Sequence, residues 1–327
     1  MTSAPHQSPW TSAGPDPFRH LALVDHGVEE LLDTLAPLLR AAVARGDLAW
    51  AAVNDDTREA LERRLGAAAL ALSFDDPGQP YSYSAQTTAA RRADRLRDVI
   101  GDGRAALILS DAATVGGPDP DSFAAELWNV VDASCNLALS GLPVTLICLC
   151  DAERISDDAE RFLHWNHPEL FVGATPCPNP RYRAPAEVLA STPAPPAPAL
   201  GPPSQEQLFA NGTTTLRGIR AWTKRHGLEA GLDPARIEGL VLAVGELVSN
   251  SLEHGAGHGR LSWWIRPGRV VAEIYDPGHM GTTTPGLRRP DLHSVRGRGV
   301  WLARQLCDVV HLWTTLDGTH ARLEIGA

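Results

Sequence analysis

Between 26 and 44 the apolar residues Val28, Leu31, Leu32, Leu35, Leu38 and Leu39 recur at three- and four-residue intervals. That spacing puts one stripe of an α-helix against a core. The run LAWAAV at 48–53 is apolar throughout and predicts a short buried strand, and Asp56 is placed to cap a helix over 58–65. Apolar runs at 67–74, 105–110 and 144–150 predict further buried strands, with helices over 88–100 and 123–139 between them. Fully apolar strands alternating with helices imply an α/β unit whose mostly parallel sheet is covered on both faces.

The pattern changes near 183. The stretch 184–203 is mostly proline and alanine, a composition that does not pack and tends toward extended polyproline geometry, so it predicts a linker. It separates a domain at 18–183 from one at 204–327, and the proline-rich residues 1–17 predict a disordered tail. In the second domain Ile237, Leu240, Val241, Val244, Leu247, Val248 and Ser251 fall on one helical stripe that would face a sheet. Runs at 260–266 and 269–275, joined by Pro267 and Gly268, predict a hairpin. A helix near 300–309 follows, then a hairpin of 310–315 and 320–325 turning through Asp317 and Gly318. Trp263 and Trp264 are adjacent on a strand and must point to opposite faces, one into the core and the other toward a partner surface.

Composition narrows the function classes. With 327 residues, two domains are the ordinary expectation. The net charge is −10, and Lys224 is the one lysine among 29 basic residues, so no basic surplus suits direct nucleic-acid binding. Five cysteines, mostly in apolar runs, read as reduced core thiols. No apolar run reaches the ~18 residues that span a bilayer, and the N-terminus lacks the basic-then-apolar order of a signal peptide. A soluble, cytoplasmic protein with no membrane partner is expected.

The predicted helix ending near 254 carries chemistry on a second face. Glu246 and Asn250 stand four residues apart, and Glu253 and His254 follow one turn later. A carboxamide oxygen suits Mg²⁺, which binds through few protein groups plus phosphates. A carboxylate one turn away could orient or deprotonate a nucleophile. A solvated polar face has the same spacing, so the helix alone leaves both readings open. Asp276 ends the second hairpin strand, where it could accept from an exocyclic amine, and Gly278 would let a flat ring approach the backbone. After a Gly-, Thr-, Pro- and Arg-rich stretch at 280–298, Gly297 and Gly299 precede a helix, whose bare N–H groups suit phosphate.

Taken in order, ELVSNSLEHG, DPG, GRGVWLARQLCD and a strand beginning with Thr319 resemble the histidine-kinase-like (GHKL) ATPase superfamily over 204–327. The resemblance implies a two-layer α+β sandwich of the Bergerat type that binds ATP and Mg²⁺. Asn250 would ligate Mg²⁺, with Glu246 as general base and His254 beside them. Asp276 would read the adenine amine, with Gly278 beside it and Thr319 supporting it. Gly297, Arg298 and Gly299 would meet the phosphates. The absence of an upstream phosphoacceptor hairpin and the phrase ELVSNSLEHG resemble the actinobacterial anti-sigma serine kinases. That branch implies a protein serine kinase that binds a sigma factor and phosphorylates a STAS-domain anti-sigma antagonist in transcription regulation; homodimerisation stays open. A non-catalytic ATP-binding partner-switching module and a histidine kinase remain alternatives. One departure stands out: Met280 occupies the usual second glycine position of the DPG box, with Gly281 one place later.

The first half resembles the MEDS sensory family through FRHLALVDHGVEELLDTLAPLLRAAVARGDLAW, CNLALSGLPVTLICLCDAERI and HWNHPELF. The resemblance implies a RecA-like α/β domain that senses a small molecule or protein signal. No G-x-x-x-x-G-K-[ST] occurs, so P-loop hydrolysis is not expected there. Cys148, Cys150, His164, His167 and Cys177 invite a zinc reading, yet their spacing fits no common zinc pattern and core thiols are the expectation. His20 and His26 flank an apolar run and read as polar or capping histidines.

Overall fold

The computed structural model describes residues 17–25, 27–75, 84–101, 103–111, 124–153, 155–212, 216–290 and 297–326. The expected tail before residue 17, His26 and part of the 280–298 stretch therefore lie outside the described residues. In chain order the strands are β1 (Arg19–Asp25), β2 (Leu48–Ala52), β3 (Leu72–Asp75), β4 (Ala106–Asp111), β5 (Val144–Asp151), β6 (Glu169–Val172), β7 (Thr175–Pro178), β8 (Gln205–Ala210), β9 (His258–Arg266), β10 (Arg269–Asp276), β11 (Val309–Thr315) and β12 (Gly318–Gly326). The helices are α1 (Val28–Arg45), α2 (Asp55–Leu65), α3 (Ala85–Ile100), α4 (Ala124–Ala138), α5 (Asp157–Asn166), α6 (Pro185–Ser191), α7 (Leu216–Glu229), α8 (Pro234–Glu253) and α9 (Gly299–Leu306). Two units emerge: Met1–Gln79, Leu96–Ala124 and Leu139–Tyr182 make the first, and Pro80–Arg95, Ala125–Ala138 and Arg183–Ala327 the second.

In the first unit a seven-stranded sheet runs in the order β3-β2-β4-β5-β1-β6-β7. It is parallel except where β7 folds back on β6. Leu21 and Leu23 of β1 and Ile147 and Leu149 of β5 pack on one face with Leu31, Leu35 and Leu39 of α1 and Leu61 of α2. Ala22 and Cys150 point to the other face and meet Leu163 of α5. Cys148 and Cys150 thus share a face, as strand alternation requires.

Local chemistry shifted several boundaries. Asn54, not Asp56, caps α2, its side chain accepting from the Thr57 amide at 2.8 Å; Asp56 sits in the first turn, where its charge suits the helix dipole. The run 67–74 is not one strand: Gly66–Ala71 forms a 3₁₀ turn and pairing begins only at Leu72. Alanines favour helical turns and add little buried area, and Leu70 is 91% exposed. His20 lies inside β1 and is buried, so it neither flanks the strand nor caps it.

The second unit holds a five-stranded antiparallel sheet, β11-β12-β10-β9-β8. Trp263, Val270, Ala272, Ile274, Leu323 and Ile325 from the sheet pack against Ile237, Leu240, Val244, Leu247 and Val248 of α8. Trp263 is fully buried here. Trp264, on the opposite face, donates to the Gly201 carbonyl at 3.0 Å, so the chain itself covers it instead of a partner. The proline–alanine stretch packs after all. His311 Nε2 lies 2.7 Å from the Pro195 carbonyl, and Arg322 donates to the Pro198 carbonyl at 2.6 Å. The first part of the stretch is not extended but forms α6, with Val188 and Leu189 buried, and beyond it the backbone is in neither helix nor strand, which leaves carbonyls for side-chain donors.

The start of α3 belongs to this unit. Arg304 of α9, fully buried, donates to Gln86 Oε1 (2.7 Å), Thr87 Oγ1 (2.8 Å) and the Val310 carbonyl (2.8 Å), and reaches the Pro285 carbonyl at 3.2 Å. Burial pushes its guanidinium down to about 9, which keeps it charged at neutral pH. Among the described residues no helix is long and apolar enough to cross a membrane.

Candidate functional site

The candidate residues gather around the C-terminal half of α8. That helix starts cleanly: Pro234 occupies the first turn and Asp233 caps it, accepting from the Ala235 amide at 2.9 Å. Its apolar stripe fixes the rotation against the sheet, which leaves Glu246 and Asn250 half-buried to one side. Gly299, the first residue of α9, lies against both. A Cβ there would stand 2.8 Å from Glu246 Oε2 and 3.6 Å from Asn250 Nδ2. Arg298 stands at the N-cap of α9, and the helix N-terminus lies beside a carboxylate and a carboxamide.

The second cluster forms where β10 ends. Asp276 is buried, and its Oδ1 accepts from the Ala256 amide at 2.9 Å and the Gly278 amide at 2.6 Å. Thr319 is its register partner on β12. The Thr319 hydroxyl donates to the Gly278 carbonyl at 2.8 Å and accepts from the Met280 amide at 3.0 Å. Asp276, Gly278 and Thr319 are thereby locked into one arrangement, with Met280 packed on the core beside it. The turn after α8 joins the two clusters: the Asn250 carbonyl accepts from the amides of His254 (2.8 Å) and Gly255 (3.1 Å). Gly255 lies so close to Asp276 that a Cβ would fall 1.6 Å from Oδ2.

His254 caps the C-terminus of α8 with an exposed side chain. Gly297 has φ 82° and open space around it, and Arg298 is exposed. All three are exposed, unlike the buried Asp276. The sequence reading gave no role to Gly255, the last residue of ELVSNSLEHG, or to Ala256, which follows it in the glycine-rich string HGAGHG.

Residues 209–325 match the histidine kinase-like ATPase domain family, and residues 19–168 match MEDS, the methanogen/methylotroph, DcmR sensory domain. The chain carries both domains. Among solved structures, the crystal structure of the RsbU and RsbW domains of Rv1364c from Mycobacterium tuberculosis is similar at 21% identity, over 38% of this chain and 33% of that chain, with a TM-score of 0.29. No curated protein sequence matches the chain. An ATPase domain of this family implies ATP binding, usually with Mg²⁺, and its donor set suits both. Asn250 supplies a hard oxygen, Asp276 a fixed buried carboxylate, the approach at Gly255 admits no side chain, and one at Gly299 would have to displace Glu246.

Proposed function

We propose that the ATPase domain binds Mg-ATP between α8, the end of β10 and the start of α9, and that it serves a partner-switching regulator with the MEDS domain as its input. On this reading the sandwich is of the Bergerat type and the MEDS domain RecA-like. The observation that carries it is the placement of Glu246 and Asn250 against Gly299, at the start of α9. Asn250 would hold Mg²⁺, which offsets phosphate charge. Asp276, its Oδ1 held by two amides, would accept the adenine amine. Glu246 would take the hydroxyl proton of a serine on a STAS-domain antagonist as that oxygen attacks the γ-phosphoryl group and ADP leaves. A sigma factor would be the alternative partner of the same domain.

Met280 favours a second reading, an ATP-binding module without turnover. Its amide is held by Thr319 and its side chain packs on the core, where the usual glycine would leave the chain free to hinge. One experiment separates the two. The full chain is incubated with Mg-ATP and a STAS-domain antagonist, and phosphate is mapped by mass spectrometry. Phosphoserine on the antagonist, lost in Glu246→Ala while ATP still binds, supports transfer. ATP binding with no transfer supports the module. Acid-labile phosphohistidine on the chain itself would overturn both, and unchanged Mg-ATP affinity in Asn250→Ala would remove the metal assignment.

A further inference from the structure

The first unit brings together three side chains that are far apart in sequence. His20 lies on β1 and Cys148 on the neighbouring β5, and His167 follows directly after α5. His20 Nε2 is 3.3 Å from Cys148 Sγ, and the rings of His20 and His167 are 4.2 Å apart between centroids. One donor atom from each of the three lies within 4.8 Å of the others. All three residues are at most 3% exposed. We propose that His20, Cys148 and His167 hold a divalent transition metal of the zinc class.

Distance and donor chemistry both point there. Zinc bonds of about 2.3 Å to sulfur and about 2.0 Å to nitrogen, at tetrahedral angles, set the two donors about 3.5 Å apart. The His20–Cys148 pair already has nearly that separation. Two imidazoles and a thiolate select zinc or a related transition metal over the hard cation of the nucleotide site. His167 is also oriented as a ligand: its Nδ1 lies 2.8 Å from the Leu163 carbonyl, which can only accept, so Nδ1 carries the hydrogen and Nε2 keeps its lone pair. The neighbouring thiol gives a contrast. Cys150, on the same face of β5, packs with Ala22 and Leu163 and lies outside the group of donor atoms. No short spacing signals this set, because two of its members come from different strands of a parallel sheet.

The test uses the full chain without a histidine tag, purified without chelator and assayed for metal by mass spectrometry. About one zinc per chain is expected. Substituted Co²⁺ should show a thiolate-to-cobalt charge-transfer band that Cys148→Ser abolishes and Cys150→Ser leaves intact. His20→Ala and His167→Ala should weaken zinc binding by more than the roughly 10–100-fold that loss of an outer-shell partner costs. If these variants fail to fold, the unaltered chain still decides: zinc should protect Cys148, and not Cys177, from alkylation as mapped by mass spectrometry. No tight uptake of zinc by the chelator-stripped chain would overturn the proposal, and so would uptake that survives all three substitutions or a cobalt band insensitive to Cys148→Ser.

Discussion

At Asp276 two backbone amides hold one carboxylate oxygen, and the approach of Gly255 leaves no room for a methyl group beside the other. Gly255→Ala should therefore displace Asp276, lowering ATP affinity at least about tenfold and stability by about 1–3 kcal/mol. Gly281→Ala, where a Cβ meets open space, should change neither; titration calorimetry and thermal melts check both. Glu273 behaves differently. Burial alone would raise its carboxyl, but His320 and Arg322, at 3.1 and 2.7–2.9 Å, outweigh burial and hold it below the ordinary 4.5. A carboxyl depressed in the folded state stabilises above its unfolded value, and that contribution disappears as the pH falls through the folded one. Melting midpoints taken from neutral pH to below 4.5 should fall further in the parent than in Glu273→Gln, which begins less stable because Arg322 loses its partner. Glu246, Asn250 and Asp276 were recognisable in sequence as candidates, by residue type and by the motifs they stand in. Gly255 was not, since only the approach of β10 gives it meaning.

Elements were readable where periodicity met a chemical stop. The stripe from Ile237 to Ser251, with Asp233 and Pro234 before it, specified α8 without tertiary help. Asp233→Ala should cost about 1 kcal/mol, read as a lower melting temperature, with ATP affinity unchanged. Strands β9 and β10 were equally plain, because Pro267 and Gly268 turn between two alternating runs and Gly268 takes φ 69°. Short strands at the sheet margins were not. β6, β7 and β8 contain mostly half-buried or exposed residues, so their pairing depends on a neighbour's open edge and leaves little hydrophobic signature. The proline–alanine stretch misled for a related reason: its own side chains predict no packing, and the donors that hold it, His311, Arg322 and Trp264, belong to the sheet.

On the scale of the molecule, the second unit is larger than its family match. It recruits 80–95 and 125–138 from the first half, and Arg304 finds Gln86 and Thr87 there. A fragment beginning at Ala184 would leave that buried guanidinium without two of its acceptors. It should unfold in less denaturant than the same unit in the full chain, with a loss of about 1–3 kcal/mol in chemical denaturation; equal stability would mean that these contacts contribute nothing. The sequence by itself determined the apolar stripes of α1 and α8 and the hairpin turn at Pro267 and Gly268, because short-range spacing is converted directly by backbone geometry into a face or a turn, and its motifs sufficed for the resemblance to the two domain families. Tertiary structure alone decided that Gly299 meets Glu246, that Arg304 is buried against α3, that the proline-rich stretch lies along the sheet, and that His20, Cys148 and His167 converge. Those contacts join residues tens to hundreds of positions apart, and only burial and strand pairing bring them within reach.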